Sequence, residues 1–332
     1  MQNIRVVIVS PALADANNGN WQTARRWQRL LSGRHTVRIV RDWPGADELN
    51  PRSSDQVMLA LHARRSAGAV AAWSRAHGPH GLAVVLTGTD LYRDIAHDAS
   101  AQQSLALAQQ LVVLQPQGLA ALPEAVRAKA RAIFQSTTER QVLAKPANRL
   151  RAVMVGHLRD EKDPLTLMAA VRLLRDHPSV RVDHIGAPLD AALGEAAQAT
   201  AAQCPAYRWL GALPHQATLR RIQRAHLLVH ASRMEGGAHV VMEAVRSGTP
   251  VLASRIPGNV GMLGEDYEGY FDVGDAAGLA ALLLRCRNGM AASSASGLLA
   301  RLQAQCAQRA PLFSPDTERS ALLRLVDVLW KA

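Results

Sequence analysis

A single pattern limits what this chain can fold into: short β-branched runs alternate with helix-like stretches, and the series runs twice. Ile4–Ser10 predicts a strand and Trp21–Leu31 a helix. Thr36–Arg41, Gln56–Leu61, Leu82–Thr87, Leu111–Leu114 and Ala132–Phe134 predict further strands with helices between them. Such alternation builds a parallel sheet, because parallel neighbours need a crossover long enough to hold a helix. The series restarts at Arg151–Val155, ending in Gly156, then helix Pro164–Asp176 and strand Val180–Ile185, ending in Gly186. Leu227–Ala231, Pro250–Ala253 and Gly269–Val273 complete it. Pro146, Ala147 and Asn148 interrupt the helical pattern between the two series. The expectation is an α/β chain of two doubly wound, Rossmann-like domains, 1–148 and 149–312, facing across a cleft. An amphipathic helix at 313–332, with Leu322, Leu325, Val326 and Leu329 on one face, is expected to return toward the first domain. Ligands of such sheets bind beyond the carboxyl ends of the strands.

Composition narrows the function. At 48% hydrophobic and 20% charged residues, the 332-residue chain is globular rather than disordered. Lys and Arg number 38 against 27 Asp and Glu, a net charge of +11. Only Lys129, Lys145, Lys162 and Lys331 are lysines; the arginines are scattered, and aromatic residues make up 4%. No basic run interleaves with aromatics, so no nucleic-acid partner is expected. Residues Val6–Val9 read as a strand rather than a leader, and no run of 18 apolar residues occurs, so a cytoplasmic enzyme without stable membrane association is expected. Cys204, Cys286 and Cys306 are odd in number and far apart, which fits neither a disulfide framework nor a zinc site.

The most informative segment is Ser232–Ser254. A strand runs into Glu235, Gly236 and Gly237, and a helix starts near Ala238, with Glu243 eight positions after Glu235. Backbone N–H groups freed by two glycines before a helix suit a diphosphate. A carboxylate accepts from the paired hydroxyls of a ribose or a sugar ring. The segment resembles the Glu-x7-Glu signature of the retaining GT-B glycosyltransferases of family four, through Ser232, Glu235, Gly236, Glu243, Ala244, Gly248, Pro250 and Val251. That resemblance implies a GT-B fold. It sets Glu235 against the donor sugar and Glu243 on the ribose of a nucleotide diphosphate sugar.

Val155–Pro164 resembles the family's Gly-Arg-Leu-x-x-x-Lys-Gly stretch, with Lys162 at the lysine position and His157 where the family has arginine. Lys162 would stabilise the charge that grows on the leaving diphosphate. His157 is cationic only when protonated, and Arg159 is a nearby substitute. Pro11–Leu31 resembles the family's N-terminal glycine-rich loop, with Gly19 and Asn20 at its paired glycines. Arg208–Pro214 resembles the strand and loop that bracket the nucleobase, adding Gly211 and Leu213 to the donor site; uracil is implied by the family. No Asp-x-Asp occurs, so no metal and no cofactor is expected.

The acceptor side rests on Leu86–Asp98, which resembles the family's His-Gly-Thr-Asp loop. Thr87 stands where the family often has His, followed by Thr89, Asp90 and Arg93. His62, Arg25 and Arg26 are further candidates, and Trp27 is read as core. The combination of Asn17-Asn18-Gly19-Asn20-Trp21, Thr87–Asp94 and His157 with Lys162 resembles the selenosugar synthases. That branch joins selenophosphate to a sugar from a UDP-sugar such as UDP-N-acetylglucosamine. An anionic selenium nucleophile needs cations but no strong base, whereas an alcohol needs one. A family-four enzyme using a sugar, phospho-sugar or lipid hydroxyl is the alternative; the lipid form would use a basic amphipathic helix such as Gly118–Ile133. A catalytically silent binding protein is the other reading.

Overall fold

The computed structural model describes residues 2–13, 19–44, 55–290 and 297–331. The loop residues Asn17 and Asn18 and most of the small-residue stretch Ala291–Gly297 lie outside them. Twelve strands form two parallel sheets of six: β1 Arg5–Val9, β2 Thr36–Val40, β3 Val57–Leu61, β4 Leu82–Leu86, β5 Gln110–Val113 and β6 Ala130–Ala132 in the first. The second holds β7 Leu150–Val155, β8 Val180–Ile185, β9 Tyr207–Trp209, β10 Leu227–His230, β11 Val251–Ser254 and β12 Tyr270–Phe271. Their orders are β2-β1-β3-β4-β5-β6 and β12-β11-β10-β7-β8-β9. The chain divides into two units, residues 1–136 with 312–332, and residues 137–311.

In the first unit, both sheet faces are buried, which is why its strands read as continuous apolar runs. Val7, Val9, Met58, Ala60 and Val84 point to one face, where they meet Trp43 and Trp73. Ile8, Leu59, Leu61 and Val85 point to the other and meet Trp27, Leu322, Leu325, Val326 and Leu329. The last four come from helix Pro315–Lys331, so the C-terminal helix is part of this unit's core. Its anchor is Glu318, fully buried. The carboxylate accepts from Trp27 Nε1 at 2.6 Å, Arg26 Nε at 2.9 Å and the Ser136 amide at 2.8 Å.

Two expectations are corrected. The boundary falls at 136/137 rather than 148/149, because the connecting segment bonds to the second unit. The Arg140 amide donates to Arg246 O at 3.0 Å, Gln223 Nε2 donates to Gln141 O at 2.6 Å, and His226 Nε2 meets Pro146 O at 3.1 Å. Gly118–Ile133 is not one helix. It is a 3-10 turn at Pro116–Leu119, a helix of one turn at Glu124–Arg127, and β6. Pro123 has no N–H to donate and stands just before that turn. Leu119, Val126 and Ala130 pack on the first unit's core instead of forming an exposed apolar face.

Removing the Glu318 carboxylate leaves the Trp27 and Arg26 side chains and both the amide and the hydroxyl of Ser136 without their acceptor. Glu318→Ala should therefore lose about 3 kcal/mol of stability in denaturant unfolding followed by tryptophan fluorescence. A loss below about 1 kcal/mol would show that the helix is held by its apolar face alone.

Candidate functional site

The second sheet reverses its order between β7 and β10, and the chain leaves both strands on the same edge, which is where doubly wound sheets bind ligands. The two loops leaving that point carry Lys162 and Glu235. After β7, the Gly156 amide donates to Ile185 O at 2.9 Å. A Cβ at Gly186 would lie 1.9 Å from Gly156 O, so only glycine allows the two loops this close. The chain then makes the 3-10 turn Asp160–Lys162 and enters helix Pro164–Leu173 through Asp163. Asp163 has φ 45° and caps the helix, accepting from Thr166 Oγ1 at 2.7 Å.

The loop after β10 is tied to this turn. The Arg233 amide donates to Glu161 O at 2.9 Å, and Arg233 Nε lies 3.3 Å from Asp163 Oδ2. These links place Lys162 Nζ on Glu235 Oε1 in a close ion pair. Ser232 Oγ donates to the same carboxylate oxygen at 2.8 Å, and His230 Nε2 lies 3.5 Å from it. Burial alone would push the Glu235 carboxyl up, but the Lys162 charge and His230 outweigh it and hold the group well below the usual carboxylate range. Glu235 is thus an anion at any physiological pH. Its backbone is braced too: a Cβ on Gly258 would lie 2.1 Å from Glu235 O.

Glu243 lies in the second turn of helix His239–Val245, and its Oε1 pairs with His215 Nε2 at 2.7 Å. His215 opens helix His215–Arg224, after the loop that contains Gly211 and Leu213. Gly211 has φ 66° and its carbonyl accepts from the Gly186 amide at 2.8 Å, so this loop sits beside the β8 end. The hydrogen bond to Glu243 raises the His215 pKa. His157 moves the other way, lowered by burial and by Arg159 and Lys162. Its Nδ1 accepts from the Ala187 amide at 3.0 Å, which puts the neutral ring's proton on Nε2. The arginine position is therefore filled by a neutral N–H donor. Arg159 is half exposed and 3.8 Å from Glu161. Gly236 and Gly237 form the bend before the helix; the Ala238 amide is already spent on Met262 Sδ at 3.2 Å.

His230, Ser232 and His215 were missed as site residues. Ser232 lies inside the Glu-x7-Glu segment, but the two histidines meet their carboxylates only through the fold.

In the first unit, Gly19 and Asn20 begin helix Gly19–Leu31, and Arg25 is exposed on it. Arg26 is bound to Glu318 and is not free for an acceptor. His62 follows β3, is buried, and has φ 73°. Its Nε2 lies 3.4 Å from Thr89 Oγ1, and burial lowers its pKa despite Asp90 and Asp94. Asp90 has a different task from the one expected. It is fully buried and accepts from the amides of Thr87 at 2.8 Å, Gly88 at 2.9 Å and Ala63 at 2.9 Å. It fixes the loops after β3 and β4. Arg93 lies 3.2 Å from Asp94, which also holds Arg64 at 3.0 Å.

Residues 135–286 match a family model described as glycosyl transferases group 1. That match lies almost wholly within the second unit. Structural likeness extends over the whole chain. Anabaena HepE, solved with UDP and glucose, is 15% identical at a TM-score of 0.73, covering 98% of this chain and 100% of that one. Sucrose-phosphate synthase from Thermosynechococcus elongatus is 16% identical at 0.75, covering 99% of each. A glycosyltransferase from Rickettsia africae is 13% identical at 0.75, covering all of both. The two sheets have the GT-B fold. Among the described residues, no group of three or more His, Cys, Asp or Glu is arranged to hold a metal ion, and no helix is long and apolar enough to cross a membrane. The three cysteines are buried and unpaired.

The histidines supply a pH signature. In an NMR titration His157 should titrate below about 6.5 and His215 above it. By linkage, depressed His157 costs stability as pH falls below its unfolded value. Raised His215 adds stability there, which is lost as pH rises through its folded value. The reverse order of midpoints would contradict both contacts.

Proposed function

We propose that the chain is a retaining glycosyltransferase that moves a sugar from a UDP-sugar, such as UDP-N-acetylglucosamine, to selenophosphate, forming a carbon–selenium bond without a metal ion. The observation that carries the donor half is the grouping of Lys162, Glu235 and Glu243 on loops leaving one switch point of a group 1 glycosyltransferase domain. The UDP and UDP-glucose in the HepE structures support the choice of nucleotide. Glu243 accepts from the ribose hydroxyls, exchanging His215 for them. Lys162, with the His157 Nε2–H beside it, faces the diphosphate as negative charge grows on it. Glu235, held ionised, lies against the donor sugar. Gly211, Leu213, Gly236 and Gly237 line the donor, mainly through backbone.

On the acceptor side, Thr87 replaces a base, and Arg25, Arg64 and Arg93 supply cations for a phosphate. Selenophosphate is already an anion, so it asks for those cations and no proton acceptor. One observation favours a hydroxyl acceptor instead: buried His62, its pKa lowered, is a neutral imidazole beside Thr89, the form a general base takes.

Two tests follow from the donor assignment. Calorimetry with UDP should find Glu243→Ala weakened by roughly 1.5–3 kcal/mol, the worth of charge-assisted bonds, with the fold intact. Lys162→Ala should lower turnover more than UDP-sugar affinity; normal turnover with altered affinity would reduce Lys162 to ground-state binding.

A competition assay decides the acceptor. Selenophosphate, thiophosphate, phosphate and a sugar panel are offered at equal concentration with one UDP-sugar and EDTA present, and the products are weighed by mass spectrometry. Selenium and sulfur products should dominate, and His62→Ala should not show the roughly 10²–10⁴-fold loss of an acid–base group. A preference for a sugar hydroxyl, with that loss, would assign the hydroxyl acceptor.

A further inference from the structure

We infer that the second unit has another ligand site, at the opposite end of its sheet from Lys162, for a small molecule carrying two or more phosphate groups. A cavity of about 570 Å³ opens there, within the range of small-molecule sites. Arg149, Arg151, Arg181, Arg208, Arg221 and Arg224 line it, with Asp183 as the one acidic residue. Arg149 and Arg151 stand at the start of β7 and Arg181 at the start of β8, roughly 16 Å along the strands from Gly156.

The register makes this crowding costly. Arg151 is the direct neighbour of Arg181 across β7 and β8, and like charges side by side in a sheet repel. A guanidinium cannot relieve that by losing its proton. The single carboxylate is already committed: Asp183 accepts from Arg208 Nε at 2.8 Å and Nη2 at 2.6 Å, and from Arg221 Nη1 at 3.2 Å. That leaves Arg149, Arg151, Arg181 and Arg224 with no carboxylate partner among the described residues. Arg181 donates through Nη1 to Pro205 O, while its Nε is buried with no partner. Planar forks at fixed spacing match phosphate oxygens two at a time. The lining has no aromatic side chain, so nothing there stacks on a base. The chemistry recognised is the phosphate cluster. The site is concave and compact, unlike the extended basic stripe that follows a nucleic-acid backbone.

Inorganic tripolyphosphate is the probe, titrated calorimetrically into the full-length chain carrying Lys162→Ala, so that the diphosphate-facing lysine is gone. One site should remain. Adding Arg151→Gln and Arg181→Gln should weaken it at least about tenfold. Arg151→Lys with Arg181→Lys, which keeps charge but loses the fork, should fall between. Arg29→Gln with Arg75→Gln, a change of equal charge on the first unit, should leave it unaltered. Equal weakening by that control, no binding once Lys162 is replaced, or tighter binding of a single-stranded oligonucleotide than of tripolyphosphate would each overturn the assignment.

Discussion

The ion pair between Lys162 and Glu235 ties together two loops that leave the second sheet where its strand order reverses. Everything proposed for the donor depends on that closeness. It is built from backbone as much as from charge. Gly186 lets the β7 and β8 ends touch, Asp163 turns the chain into its helix, and Arg233 fastens one loop to the other. Gly258 then lets a helix approach the Glu235 backbone. A partly buried pair of this kind contributes little net stability, because desolvation opposes the Coulomb gain. Its value is positional: an ionised carboxylate and an ammonium are fixed together at the switch point, where we propose that the donor binds.

Much of this was legible in the chain. A parallel sheet buried on both faces writes itself as apolar runs with helices between, so the strands were found to within a residue or two at most positions. Motif spacing singles out Glu235, Glu243 and Lys162, and the fold brings Lys162 onto Glu235. What stayed hidden depends on contacts between distant elements. His215 and Glu243 are 28 positions apart, and nothing local joins them. Asp90 sat on a loop beside polar neighbours and read as a ligand, yet three amides from two loops consume it. The unit boundary moved because hydrogen bonds to the backbone of Arg140, Gln141 and Pro146, which leave no trace in periodicity, hold this segment to the second unit. Within Gly118–Ile133 the apolar spacing was real, but Pro123 ended the helix that the spacing suggested.

The arginines show how far placement matters more than number. Arg26 is neutralised by Glu318 and serves the C-terminal helix. Arg64 and Arg93 share Asp94. Arg208 and Arg221 share Asp183, which leaves their arginine neighbours without a carboxylate partner among the described residues. A net charge of +11 is therefore not one field but several separate arrangements, each with its own use.

The most direct measurement is a crystal structure of the chain with UDP. The ribose hydroxyls should lie on the Glu243 carboxylate in place of His215, with the diphosphate facing Lys162 and the His157 Nε2–H. UDP seated away from the loops after β7 and β10, with the His215–Glu243 and Lys162–Glu235 contacts unchanged, would contradict the donor site.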